Sequence, residues 1–298
     1  MFMYAETSVH VGGGESVGTI DLAIAREKYT DFPFIPSSGV KGALRAWFEA
    51  HGGKENPTYG PGKISQLFGS AAGEGDSEEG VSDHAGALVF TDARILLFPV
   101  RTLKGVFAWI TCPMVLERLK RDMAMAGRSS DLEIPKVAAG TIIAPEDSEC
   151  VLDGNQAVLE EYTFKVEKKN LSGLTDFLAK AFPSSKEYEY WRDKLPTNLL
   201  LLSDDDFKDF AKTSTEIQTR IKIDSETKTV AQGALFYQEN LPADSLMYAV
   251  TAAQEMRGMK SDEVMNTVHA LKGQRVQLGG DESVGKGIYC INFQNGEG

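Results

Sequence analysis

The sequence predicts an α+β fold in the order β-α-β-β-α-β, elaborated by inserted loops and helices, and three observations carry that prediction. Apolar residues recur at helical spacing just after Ser37, β-branched and aromatic runs follow them, and a turn-rich connector joins two strand-like segments beyond Thr219. The composition agrees: 42% hydrophobic and 25% charged residues suit a folded globular chain and exclude wholesale disorder or a fibrous architecture. A length of 298 residues is enough for one elaborated domain over 1–298.

The segment 34–36 leads through Ser37, Ser38 and Gly39 into a helix over 40–50, with Val40, Leu44, Trp47 and Phe48 on one face and the serines as caps. Residues 52–86, rich in Gly, Ser and acid, read as a mobile loop insertion with one helical turn at 64–68. Strands are expected over 87–98 and 105–111, joined through Pro99, Arg101 and Lys104, after which Pro113 opens a helix. The stretch 127–215 reads as a mixed insertion, with strands around the turn Asp153-Gly154-Asn155 and helices at 171–181 and 204–212. A hairpin follows at 219–237, its arms flanking Asp224-Ser225-Glu226-Thr227. A strand at 247–251, a helix at 262–271 and a strand at 288–293 complete a ferredoxin-like order.

Several function classes fall away. No apolar run approaches the length of a bilayer span, and residues 1–10 lack a basic-then-apolar leader pattern, so the expectation is a cytoplasmic chain with no membrane partner. Cys112, Cys150 and Cys290 lie far apart without C-x-x-C spacing, which fits neither a disulfide framework nor a zinc knuckle. His10, His51, His84 and His269 are equally scattered, so any metal is expected on carboxylates. The net charge of −12 opposes a uniformly phosphate-binding surface. Acid concentrates at 74–83 and 204–209, whereas cations gather at Lys41/Arg45, Arg101/Lys104, Arg118/Lys120/Arg121 and Arg220/Lys222. The alternatives are a basic face on an acidic protein or an evenly mixed surface.

Two glycine loops are nearly the same word: Gly13-Gly14-Glu15-Ser16-Val17-Gly18 and Gly280-Asp281-Glu282-Ser283-Val284-Gly285. Such loops either converge N–H groups on an anion such as phosphate or simply make tight turns. Gly280, Gly285 and Lys286 also match part of the nucleotide-binding pattern G-x-x-x-x-G-K, but Gly287 stands where that pattern needs Ser or Thr and a strand follows in place of a helix. A nucleotide-hydrolysing site is therefore excluded there.

Taken together, His10-Val11-Gly12-Gly13-Gly14 with Ile20-Asp21, the stretch Pro36-Ser37-Ser38-Gly39-Val40-Lys41-Gly42-Ala43-Leu44-Arg45, and Gly279-Gly280-Asp281-Glu282-Ser283-Val284-Gly285-Lys286-Gly287 resemble the RAMP superfamily of CRISPR proteins. Phe98-Pro99-Val100-Arg101-Thr102-Leu103-Lys104-Gly105, with Thr111, Pro113 and Lys120-Arg121-Asp122, most resembles the backbone subunits of type III-B (Cmr) effector complexes. The resemblance is strongest before Asp122 and after Thr219. It implies an RNA-recognition-like palm, a thumb at the 219–237 hairpin, and head-to-tail copies holding a guide CRISPR RNA beside other Cmr subunits. It also implies that single-stranded target RNA paired to the guide is cut where the thumb distorts it.

On that resemblance Asp21 matches the family's cleavage aspartate, as proton acceptor or as ligand of a divalent cation, Mg²⁺ or Mn²⁺. His10 and Glu239 are its candidate assistants. Expected to hold RNA are Ser37, Ser38, Gly39, Lys41 and Arg45 at a helix N-terminus, Arg220 and Lys222 on the hairpin, and Gly279, Gly280 and Lys286 in the second loop. Phe236 and Tyr237 are candidates for stacking on bases. Three other readings remain: a guide-binding scaffold without catalysis, a stand-alone guide-processing nuclease, and a ferredoxin-like binder of a small anionic metabolite.

Overall fold

The structure is a computed structural model that describes residues 1–15, 20–52, 60–70, 84–223, 230–256 and 258–294. Strands β1 (Phe2–Ala5), β2 (Gly12–Glu15), β3 (Leu22–Ile24) and β4 (Phe34–Ile35) precede helix α1 (Ser37–Gly52). α1 forms where its spacing requires and buries Val40, Leu44 and Phe48, residues four apart on one face. Its serines lie inside the first turn instead of capping it. Asp92 supplies the cap from elsewhere, its carboxylate accepting the Ser37 amide at 2.7 Å.

Next come α2 (Pro61–Phe68), β5 (Leu88–Phe90), β6 (Ala93–Arg101), β7 (Phe107–Thr111) and α3 (Pro113–Met125). The single strand expected over 87–98 is two. At the break, the Thr91 amide donates to the Val250 carbonyl and the Val250 amide to the Thr91 hydroxyl, which turns the chain from one sheet into another. Pro99 sits within β6 and not in the connection. Of the loop insertion 52–86, residues 53–59 and 71–83 lie outside the described residues.

Within 127–215 lie β8 (Thr141–Pro145), β9 (Gln156–Leu159), β10 (Tyr162–Lys169), α4 (Ser172–Ala179), α5 (Glu189–Asn198), β11 (Leu199–Leu201) and α6 (Asp204–Thr213). α5 has no counterpart in the sequence reading, because Pro196 interrupts it and only Leu195 and Asn198 are buried. The remainder is β12 (Glu216–Ile223), β13 (Val230–Asn240), β14 (Leu246–Tyr248), β15 (Thr251–Ala253), α7 (Ser261–His269), β16 (Arg275–Gln277) and β17 (Ile288–Asn292). β12 and β13 pair antiparallel, as the hairpin reading requires, while its connector 224–229 lies outside the described residues.

The fold is α+β. Its main sheet runs β16-β17-β1-β14-β6-β7-β11-β8-β10-β9, with β4 added on β6. The quartet β17-β1-β14-β6 is antiparallel throughout, and β8 to β11 continue the same sheet beyond β7. A second sheet runs β12-β13-β3-β2, and β15 pairs with β5. One apolar core underlies the main sheet, including Met3, Phe48, Phe98, Trp109, Phe182 and Tyr289. Trp109 keeps its indole satisfied there by donating to the Asp244 carbonyl at 2.8 Å. The three cysteines are buried and free, and burial pushes the Cys150 thiol up to about 11. Among the described residues, no helix is long and apolar enough to cross a membrane.

Candidate nucleic-acid interface

The second sheet positions the site. One edge of β13 pairs with β12, and the other receives the chain around Asp21. The Tyr237 amide donates to Asp21 Oδ2 at 2.8 Å, and Leu22 pairs with Gln238. Asp21 is exposed, and its Oδ1 accepts from no described residue. His10 reaches the same strand through Nδ1, 2.7 Å from the Glu239 carbonyl. A carbonyl only accepts, so Nδ1 carries the proton of this bond and Nε2 is the nitrogen left to act on a ligand. Tyr237 and Glu239 are two positions apart on β13, which sets the anchors of Asp21 and His10 about 7 Å from each other along the strand.

Glu239 is placed differently from its sequence expectation. It is 2% exposed, and its carboxylate accepts from the Ile24 amide at 3.0 Å, Arg26 at 2.5 Å and the Thr215 hydroxyl at 2.8 Å. Arg26 in turn donates to the carbonyls of Asp31 and Ala211. The Glu239 side chain therefore ties β3 and the end of α6 to β13, and its backbone carbonyl is what orients His10.

The two glycine motifs meet each other. The Gly280 amide donates to the His10 carbonyl at 2.8 Å. Gly279, at φ 89°, lies so close that an added Cβ would stand 2.4 Å from that carbonyl, an approach only glycine permits. Asp281 then accepts Arg220 at 3.1 and 2.6 Å and also the Gln238 amide. Burial works against the ionised Asp281, but the Gln238 hydrogen bond and the Arg220 charge outweigh it and hold the carboxyl below its ordinary value. Arg220 is thus engaged by Asp281, and Lys286 donates to the Ser8 hydroxyl at 2.9 Å. The side chain of Lys222 and residues 16–19 of the first loop lie outside the described residues.

Lys41 and Arg45 occupy a different place. Lys41 donates to the Leu88 carbonyl at 3.0 Å, and burial, then the charge of Arg45, lowers its pKa. Arg45 bonds Glu49 at 2.7 Å and the Gly69 carbonyl at 2.9 Å. Ser37 is half-buried, while Ser38 and Gly39 are exposed in the same first turn. No described hydrogen bond joins this group to the base of the hairpin, where Asp21, His10, Glu239, Arg220, Gly279, Gly280 and Lys286 assemble. The hairpin itself presents an apolar face: Ile217, Ile221, Leu235 and Tyr237 are 48%, 49%, 54% and 39% exposed, with Tyr237 opposite Thr219 and Leu235 opposite Ile221. Phe236, half-buried, belongs to the other face.

Sequence reading missed Arg26, Asp92, Gln238 and Asp281 as parts of this frame. Their partners lie 61 residues away for Arg220–Asp281 and 213 away for Arg26–Glu239, so no local spacing encodes them. For a cation, no three acidic, His or Cys side chains cluster among the described residues. Mg²⁺ often rests on one or two carboxylates plus substrate phosphates, and the exposed Asp21 suits that pattern.

Comparison with known proteins follows the same lines. A family model described as the RAMP superfamily matches residues 2–290. The chain is 35% identical over 295 residues to the "CRISPR system Cmr endoribonuclease Cmr4" of Pyrococcus furiosus, covering 98% of this chain and 94% of that one. It is 25% identical over 313 residues to the "CRISPR system CMR subunit Cmr4" of Saccharolobus solfataricus, covering 99% and 96%. Among solved structures, oligomeric Cmr4 from Pyrococcus furiosus superposes with a TM-score of 0.72 at 29% identity, covering 98% of this chain and 95% of that one.

Proposed function

The chain belongs to the RAMP superfamily, and from that premise we propose that it is a backbone subunit of a type III-B CRISPR effector complex, an endoribonuclease that binds guide RNA and cuts complementary target RNA. The antiparallel quartet β17-β1-β14-β6, with α1 between β1 and β6 and α7 between β14 and β17, supports reading the centre as a ferredoxin-like palm. The exposed β12–β13 hairpin is its thumb. Copies of the chain line up along one guide beside other Cmr subunits.

The carrying observation is that Asp21 is held by the Tyr237 amide at the root of the apolar hairpin, two residues along β13 from the anchor of His10. Cleavage by in-line attack of an RNA 2′-hydroxyl needs a splayed backbone, a proton acceptor and a fixed geometry. Ile221, Leu235 and Tyr237 supply an apolar surface on which unstacked bases rest. As the 2′-oxygen bonds to phosphorus, Asp21 Oδ1 accepts its proton and the P–O5′ bond breaks, the departing 5′-oxygen taking a proton from solvent, while His10 stands at the same phosphate through Nε2. Glu239 positions both by fixing β13 against β3. A divalent cation bound at Asp21 would add charge stabilisation on the phosphoryl oxygens. Lys41, Arg45, Lys286 and the first turn of α1 hold the guide backbone.

The test is cleavage of guide-complementary RNA by the reconstituted complex carrying Asp21→Ala. Loss of a single proton acceptor should slow cutting about 10²- to 10⁴-fold with target binding retained. Unchanged cuts would reduce the chain to a guide-holding scaffold.

A further inference from the structure

The turn between β6 and β7 is built against its own backbone preference. Val106 sits at φ 73°, a left-handed conformation that a β-branched residue adopts only when its surroundings impose it. Those surroundings are present. The Thr102 amide donates to the Val106 carbonyl at 3.1 Å and its hydroxyl to the Lys104 carbonyl at 2.7 Å. The Leu103 amide donates to Val158 of β9 at 3.1 Å, and Asn198 donates to the Gly105 carbonyl at 3.2 Å. These bonds tie the turn to its own scaffold, while Leu103 and Val106 stand 71% and 78% exposed. The result is a rigid knob that displays two apolar side chains to solvent.

A matching recess lies elsewhere on the same chain. A groove of about 690 Å³ opens between α3, β15 and α7, lined by Val89, Met123, Met125, Ala253, Met265 and Phe293. Val89 and Met125 are 42% and 67% exposed, and methionine adapts to irregular partners. Its rim carries Asp262, which has no ion pair among the described residues, whereas Arg101, exposed although it pairs with Glu160 at 3.1 Å, flanks the knob. The two features lie at opposite ends of β6. Arg94 at one end bonds the groove residue Asp122 at 2.6 Å, and Arg101 at the other leads into the knob. The seven residue-to-residue steps from Arg94 to Arg101 span about 23 Å, so a chain cannot fill its own groove.

We infer that the Leu103–Val106 knob of one copy docks in the Val89–Met125 groove of the next, making a head-to-tail contact between identical chains. A contact that joins two different patches of one surface repeats from copy to copy, as a backbone requires. Arg101 meets Asp262 across it. The inference rests on the reading that copies of this chain line up, and adds where they touch.

Sedimentation velocity of the RNA-free full chain over a concentration series tests it, with two variants whose thermal melts are checked against the unmodified protein. Leu103→Asp with Val106→Asp removes the knob but keeps the groove, and Met125→Glu blocks the groove but keeps the knob. The unmodified chain should form a ladder of oligomers, each variant should stay monomeric, and an equal mixture of the two should stop at a dimer. Variants that assemble like the unmodified chain, or a mixture that stays monomeric, overturn the docking contact alone. An unmodified chain that remains monomeric throughout overturns the line-up reading along with it.

Discussion

At the scale of single residues, two carboxylates and one valine separate strain, support and chemistry. Glu239 neutralises Arg26 in the protein interior, and removing one partner of a buried pair costs about 3–5 kcal/mol. Arg26 keeps two carbonyl acceptors and is partly exposed, so Glu239→Ala should cost nearer 2–3 kcal/mol, read by denaturant unfolding. Asp21→Ala, on an exposed side chain, should stay within about 0.5 kcal/mol of the parent while cleavage collapses. Equal destabilisation by the two would make Asp21 another strut. Val106→Gly runs the other way: relief of a left-handed valine, less the added freedom of the unfolded chain, should raise stability by about 1 kcal/mol. A lowered melting temperature would show that Val106 packs within its own chain. Asp21 stands out as a candidate in the sequence because it lies inside a motif. The inward turn of Glu239 was not legible there, since its donors Ile24 and Arg26 lie at the end of β3 and just beyond it, more than 200 positions earlier in the chain.

At the scale of elements, the second glycine loop is a clasp on the hairpin. Gly280 holds His10, and Asp281 holds Arg220 and Gln238, so one loop fixes both the candidate assistant and the root of the hairpin. The folded carboxyl of Asp281 titrates below its unfolded value of about 3.9. Its contribution is therefore complete above that unfolded value and is lost as pH falls through the lower folded one. Because the pair is partly exposed, the effect is local loosening and not global unfolding. Hydrogen-exchange protection of 216–221 and 235–240, taken relative to the intrinsic exchange rate at each pH, should be lower near pH 3 than at pH 7, and Asp281→Asn should lower it already at pH 7. Exchange indifferent to both changes would mean that the clasp holds nothing. The elements themselves were largely readable: α1, α3, α6 and the hairpin follow their periodicity and turn residues. α5 was not, because its helicity comes from packing against its neighbours and not from an apolar stripe.

At the scale of the whole molecule, the order of the main sheet could not be read from the chain, since β1 pairs with β14 and β17 across more than 240 residues and no local pattern records such partners. The charge problem, by contrast, was visible at once: 43 acidic against 31 basic residues leaves −12, yet the proposed ligand is a polyanion. The structure sharpens it, because Lys41, Arg45, Arg220 and Lys286 all have partners inside the protein. Guide binding must then exchange internal bonds for phosphate contacts, so each cation contributes to salt dependence more clearly than to raw affinity. The logarithm of guide affinity should fall linearly with the logarithm of salt concentration, and each phosphate held on a single strand contributes about 0.7 to that slope. Lys41→Ala should lower the slope by about 0.7, and Lys286→Ala by a similar amount, both weakening binding to every guide sequence alike. A slope unchanged by Lys41→Ala would leave its ammonium on the Leu88 carbonyl in the complex as well as in the free chain. In that outcome the exposed backbone of Ser38 and Gly39 would carry the phosphate at the head of α1.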